Sequence, residues 1–113
     1  MKIVINACHG GFGLSDEAIM MYSDVKRLNL KRVDEKSFSS YYFDGIESED
    51  TYFSDLTIDR SDKDLVAIVE LLGEKANGNY AELKIVEIPD DVNWQIDEYD
   101  GSEWVAEVHR TWY

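Results

Sequence analysis

The stretch Asn6-Ala7-Cys8-His9-Gly10-Gly11-Phe12-Gly13-Leu14-Ser15 constrains the fold more than any other part of the chain. Ahead of it, Lys2-Ile3-Val4-Ile5 is a β-branched run that reads as a buried strand within residues 1–7. Behind it, Ser15-Asp16-Glu17-Ala18 opens a helix, with a hydroxyl N-cap and two acids in the first turn. Gly10, Gly11 and Gly13 permit φ > 0 and let bare backbone N–H groups approach whatever docks against them. A strand, a glycine turn and a helix N-terminus make a ligand cradle or a tight corner, and the sequence leaves both open.

The helix expected from Asp16 to about Arg27 has Ala18, Met21, Tyr22, Val25 and Leu28 on one apolar face. Lys26, Arg27, Lys31, Arg32 and Lys36 follow as a basic stretch, with a half-exposed strand at Leu30–Val33. That stretch reads as a solvated face that balances acids elsewhere, or as a small basic patch beside the glycine turn. Tyr41-Tyr42-Phe43 and Tyr52-Phe53 flank Asp44-Gly45, a hairpin signal amid acids. Ser61-Asp62-Lys63-Asp64 approximates a capping box for a helix running to Ala76, with a stop at Asn77-Gly78. Leu65, Ile68, Val69, Leu72 and Ala76 form its apolar stripe. An alternating strand over residues 82–88 ends at Pro89. Two further runs, 94–99 and 103–108, flank Asp100-Gly101 as a hairpin, with a short helix as the alternative for the second arm. The order predicts a single α+β domain over residues 1–113, a mostly antiparallel sheet with two helices packed on it.

Charge narrows the function classes. Among 113 residues, 24 acids stand against 11 Lys and Arg, a net of −13. Such a field repels nucleic acid and anionic membrane surfaces, and it suits either solubility or a protein partner with a basic surface. One cysteine excludes an internal disulfide, and without an apolar leader the chain reads as cytoplasmic. No run approaches the roughly 18 apolar residues of a membrane helix. Cys8, His9 and His109 are too few and too scattered for structural zinc; the abundant acids leave a carboxylate-bound divalent ion open, though none has EF-hand spacing, and the sequence assigns no metal ligand and no cofactor.

Three groups of residues carry candidate chemistry. Cys8 sits near a helix N-terminus, where a thiol can become a nucleophile, but His9 on the next strand position faces away from it. Small buried packing is the plainer role for Cys8. Cys8, Gly10, Gly11, Phe12, Gly13 and Ser15, closed by Arg110 or Arg60, could cradle a nucleotide-like ligand. Against this, the turn lacks the Gly-Lys-Ser/Thr of a Walker A loop, and Asp16 and Glu17 oppose an incoming anion. Between Val86 and His109 there is no Lys or Arg, while Glu87, Asp90, Asp91, Asp97, Glu98, Asp100, Glu103 and Glu107 all fall there. About half of these acids would share one hairpin face, as a solvated surface or as an imitation of a phosphate backbone. Asp97, Glu98, Asp100 and Glu103, with Tyr52 and Phe53 from the acid–aromatic stretch, are the expected partner-binding residues. The terminal His109-Arg110-Thr111-Trp112-Tyr113 reads as an anchored end rather than a loose tail.

The motif Ile5-Asn6, Cys8, Gly10-Gly11-Phe12-Gly13-Leu14-Ser15 resembles a family of small proteins of tailed bacteriophages. The resemblance resumes in Asp64-Leu65-Val66, in Leu83 through Val92, and in Tyr99-Asp100-Gly101 through His109-Arg110-Thr111-Trp112. Residues 29–59 and His9 depart from the pattern. The family carries no established activity, so the resemblance implies a phage setting and not a reaction. Charge and setting together lead to the expectation of a non-enzymatic protein in the host cytoplasm that binds and inhibits a host or anti-phage defence protein. The alternatives are a nucleotide-like ligand held at the glycine turn, and a Cys8-dependent enzyme.

Overall fold

Ile3, Val4 and Ile5 are buried on both faces of strand β1 (Lys2–Asn6), as a continuous β-branched run requires. The computed structural model describes residues 1–108. β1 pairs antiparallel with β5 (Leu83–Glu87), Ile3 opposite Val86 and Ile5 opposite Lys84. Among the described residues the other edge of β1 pairs with no strand. There the Val4 N–H donates to the Arg60 carbonyl at 2.9 Å, and the Asn6 N–H donates to the Glu103 carboxylate at 2.8 Å. Because these groups satisfy the edge, the sheet stops at two strands.

The remaining strands form two more antiparallel units. β2 (Leu30–Asp34), β3 (Ser39–Phe43) and β4 (Tyr52–Phe53) make a meander, and β6 (Trp94–Tyr99) with β7 (Ser102–Glu107) makes a hairpin. The fold is α+β, with two helices and seven antiparallel strands among the described residues. Its strands are divided among three small sheets, whereas the sequence suggested one. Asp100 and Gly101 both take positive φ, 50° and 88°, in the two-residue turn of β6–β7. Asp44 and Gly45 do the same at 55° and 73°, but Ile46–Thr51 intervenes before β4, and the more extensive partner of β3 is β2.

Helix α1 (Asp16–Lys26) is capped by Ser15, whose Oγ accepts the Ala18 N–H at 3.1 Å. Its buried residues are Ala18, Ile19, Tyr22 and Ser23, whereas Val25, expected on that face, is 51% exposed. The chain doubles back through Arg27 and Asn29, both at positive φ, so that the Leu30 N–H reaches Ser23 Oγ at 3.0 Å. That return covers the Ser23 side of the helix and leaves Val25 outside.

Helix α2 (Lys63–Leu72) is capped by Asp62, not by Ser61: one Asp62 oxygen accepts the N–H groups of Asp64 and Leu65. The α-helix ends at Gly73, at φ 57°, and a tighter 3₁₀ turn carries the chain on to the buried Ala76. Leu65, Val66, Ile68 and Val69 of α2 pack with Val4, Ala18, Tyr22, Leu30, Tyr41 and Phe53 into one core. Among the described residues no helix is long and apolar enough to cross a membrane.

Candidate functional site

The glycine turn is wrapped around the protein's own backbone. A Cβ on Gly10 would lie 1.7 Å from the Tyr80 carbonyl oxygen, and one on Gly101 would lie 2.5 Å from the His9 carbonyl oxygen. The Gly78 N–H donates to the Gly13 carbonyl at 2.9 Å, and the Ser15 N–H to that of Ala76 at 2.8 Å. Segments 76–80 and 100–101 therefore occupy the flanks of the turn. Cys8 Sγ donates within this clasp, to the Tyr80 carbonyl at 3.1 Å and to Asn6 Oδ1 at 3.3 Å. His9 Nδ1 instead faces the Asp100 carbonyl at 3.3 Å. The two side chains do not form a nucleophile–base pair.

Asn6 organises the clasp, and sequence reasoning missed it. Fully buried, it donates from Nδ2 to the carbonyls of Cys8 (2.6 Å) and Gly101 (2.8 Å), and its Oδ1 accepts the Glu82 N–H at 2.8 Å. An amide closing an otherwise apolar strand was the available signal, because a polar group in that position has to find partners.

Glu103 belongs to the same interior network. Its side chain is 8% exposed and holds Arg60 by two bonds, of 2.7 and 3.0 Å. Arg60 also donates to the Val4 carbonyl, and its guanidinium lies 3.5 Å from the centre of the Phe12 ring. Two expectations are corrected here. Glu103 is no open partner-binding acid, and the donor fork of Arg60 is spent on a carboxylate rather than offered to an anion. Phe12 covers this pair. Arg110, His109 and the other terminal residues lie outside the described residues.

The hairpin sorts the remaining acids by strand alternation. Trp94, Ile96, Glu98, Glu103, Val105 and Glu107 share one face; Gln95, Asp97, Tyr99, Trp104 and Ala106 share the other. The first face turns its half-buried apolar residues and Glu103 inward. The second is outward: Tyr99 is 74% exposed, and Trp104, directly opposite Asp97, is 47% exposed. Gln95 Nε2 donates to Asp97 Oδ1 at 2.8 Å. Glu98 and Asp100 are exposed at the turn end. The acids therefore do not line up as one array. The outer face is aromatic, with Asp97 in its centre and Asp100 at the turn beyond it.

In the acid–aromatic stretch, Tyr41 and Phe53 are core residues and Tyr52 is exposed. Phe53, expected at an interface, is instead held edge-on to Phe43 and stacked on Tyr22. Three cations of the basic stretch are paired locally. Lys26 contacts Asp62 and Asp64, Lys31 contacts Glu47, and Arg32 contacts Asp16 and Asp34. Burial pushes the Asp62 carboxyl up, but hydrogen bonds from Lys26, from the Leu65 and Asp64 N–H groups and from Tyr22 outweigh it and hold it below the usual aspartate value.

No protein-family model, curated protein or solved structure matches the chain.

Proposed function

We propose that the protein is a non-catalytic binding module that docks onto a protein with a basic surface through the outer face of the β6–β7 hairpin. One observation carries the reading. That face sets Tyr99 and Trp104 around Asp97, with Asp100 exposed at the turn beyond it and Glu98 exposed beside the turn on the opposite face, on a chain of net charge −13. Exposed Tyr and Trp supply contact area at an interface, and rim acids steer a cationic partner and set the salt dependence of binding. In the phage setting implied by the resemblance, the partner is a host or anti-phage defence protein, inhibited by contact in the host cytoplasm. A nucleotide-like ligand at the glycine turn has less support, since Gly10 and Gly13 pack on residues 78–80 and Arg60 is engaged by Glu103. A Cys8 nucleophile has less support too, because both neighbours of its thiol are acceptors.

The test is affinity capture from bacterial lysate followed by native mass spectrometry, comparing the wild type with Asp97→Lys/Glu98→Lys/Asp100→Lys and with Trp104→Ala. The expected result is a captured protein released by about 0.5 M salt and lost by about tenfold or more in both variants. Capture indifferent to salt and to both variants would refute the reading.

A further inference from the structure

A second concave surface lies away from the hairpin, between the start of α1 and the β2–β3–β4 meander. It is a cleft of about 500 Å³, within the size range of ligand sites. Its floor is apolar, formed by Leu14, Ile19 and the buried ring of Tyr41. Two aromatic side chains stand at its walls without being buried by the fold: Phe38, 62% exposed in the β2–β3 turn, and Tyr52, 53% exposed on β4. Rings left in water beside a cavity are surfaces for a flat or cationic group to stack on.

Charge selects the occupant. Among the described residues, the only cationic side chain lining this cleft is Arg32, and it is paired with Asp34 at 2.7 Å and Asp16 at 3.1 Å. Glu35 and Asp55 line the same space. An anionic ligand would enter against four carboxylates, whereas a planar cation would meet both carboxylate oxygens and aromatic faces. Tyr41 Oη is hydrogen-bonded to Asp16, and the Asp55 carboxylate accepts the Leu14 N–H at 2.9 Å, so two of the acids are held in place. Asp34 is fixed in the same way, by Ser39 and Arg32. Those two bonds, with Ser39 contributing most, keep it ionised below the usual aspartate range.

We infer that this cleft receives an arginine side chain from a basic peptide segment, the guanidinium lying between Phe38 and Tyr52 and paired with Glu35 and Asp55. The inference rests on the proposed function in taking that segment from the same basic partner, and it adds a pocket to the flat hairpin face. The two surfaces are joined through the chain. The wall of the cleft at Asn77–Asn79 runs into Tyr80, against which Gly10 packs, and the glycine turn packs in turn on Gly101 of the hairpin.

The experiment titrates the ¹⁵N-labelled full chain with an oligo-arginine peptide and follows backbone amide shifts and affinity. Phe38→Ala removes an exposed ring without changing charge. Asp34→Asn/Glu35→Gln lowers the charge of the cleft, and Asp97→Asn/Glu98→Gln lowers that of the hairpin by the same amount. The expected shifts concentrate at residues 35–39 and 52–55. Affinity should fall about threefold in Phe38→Ala and about tenfold in the cleft double variant, but only about twofold in the hairpin control. Wild-type affinity in Phe38→Ala, or equal losses in the two charge variants, would overturn the inference. Binding that follows the hairpin variant alone removes the cleft and leaves the proposed function standing. Failure of the lysate capture with cleft binding intact would do the reverse.

Discussion

Glu103→Ala is expected to be among the most damaging single substitutions in the chain, for reasons that can be followed atom by atom. The Glu103 carboxylate accepts three bonds: Arg60 Nη1 at 2.7 Å, Arg60 Nη2 at 3.0 Å, and the Asn6 N–H at 2.8 Å. Both partners of the ion pair are well buried, at 8% and 14% side-chain exposure. Truncation leaves a guanidinium without its counter-charge, which typically costs about 3–5 kcal/mol. It also orphans a buried backbone donor on β1, for about 1 kcal/mol more. A domain of this size shifts by about 4–8 °C per kcal/mol, so a loss of about 4–6 kcal/mol should lower the melting temperature by about 15–50 °C. The assay is urea denaturation of the wild type, Glu103→Ala, Arg60→Met and the double variant Arg60→Met/Glu103→Leu. The double variant should recover much of the loss, because an apolar pair removes the stranded charge along with its partner. A cost below about 1 kcal/mol for Glu103→Ala, or a double variant as unstable as the sum of the singles, would refute the account.

The glycine clasp and Asp62 give two further predictions. Gly10→Ala places a methyl group inside the Tyr80 carbonyl, and should cost about 1–3 kcal/mol and accelerate thiol labelling of Cys8; Gly13→Ala, where a Cβ meets nothing within 4 Å, is the matched control. Equal labelling rates in the two variants would argue against the clasp. For Asp62, the folded carboxyl titrates below the unfolded one, so its stabilisation is complete above about pH 4 and lost as pH falls through the lower folded value. Asp62→Asn should therefore be less stable than the wild type at neutral pH, with a gap that closes in acid; a gap independent of pH in denaturation curves would contradict this.

Local signals in the sequence proved dependable where the chemistry is local. The β-branched Ile3-Val4-Ile5, the apolar stripe of α2 and the Asp100-Gly101 turn each specify their own backbone, and each forms where expected. Errors arose where a distant segment decides the outcome. Periodicity placed Val25 on the buried face of α1, but the return of the chain onto Ser23 shifted burial to Ile19 and Ser23. Alternation put Glu103 among the hairpin acids; only the arrival of Arg60 from the loop before α2 makes an inward carboxylate stable. The division into three sheets depends on the Arg60 carbonyl and the Glu103 carboxylate capping the edge of β1, and no strand pattern announces that. The cleft was equally hidden, since Phe38 and Tyr52 come to line one space with Asp16 only through the meander.

The network around Asn6 also sets a timetable for biosynthesis. The Asn6 N–H and its acceptor on Glu103 are 97 positions apart, and the pairing partner of β1 is likewise in the later part of the chain. At about 5–20 residues per second, β1 waits on the order of 5–20 s between leaving the ribosome and meeting Glu103. During that interval Ile3-Val4-Ile5 is an apolar strand with both edges open, the kind of segment that self-associates. Yield on overexpression should therefore respond to translation speed more than to the stability of the finished fold.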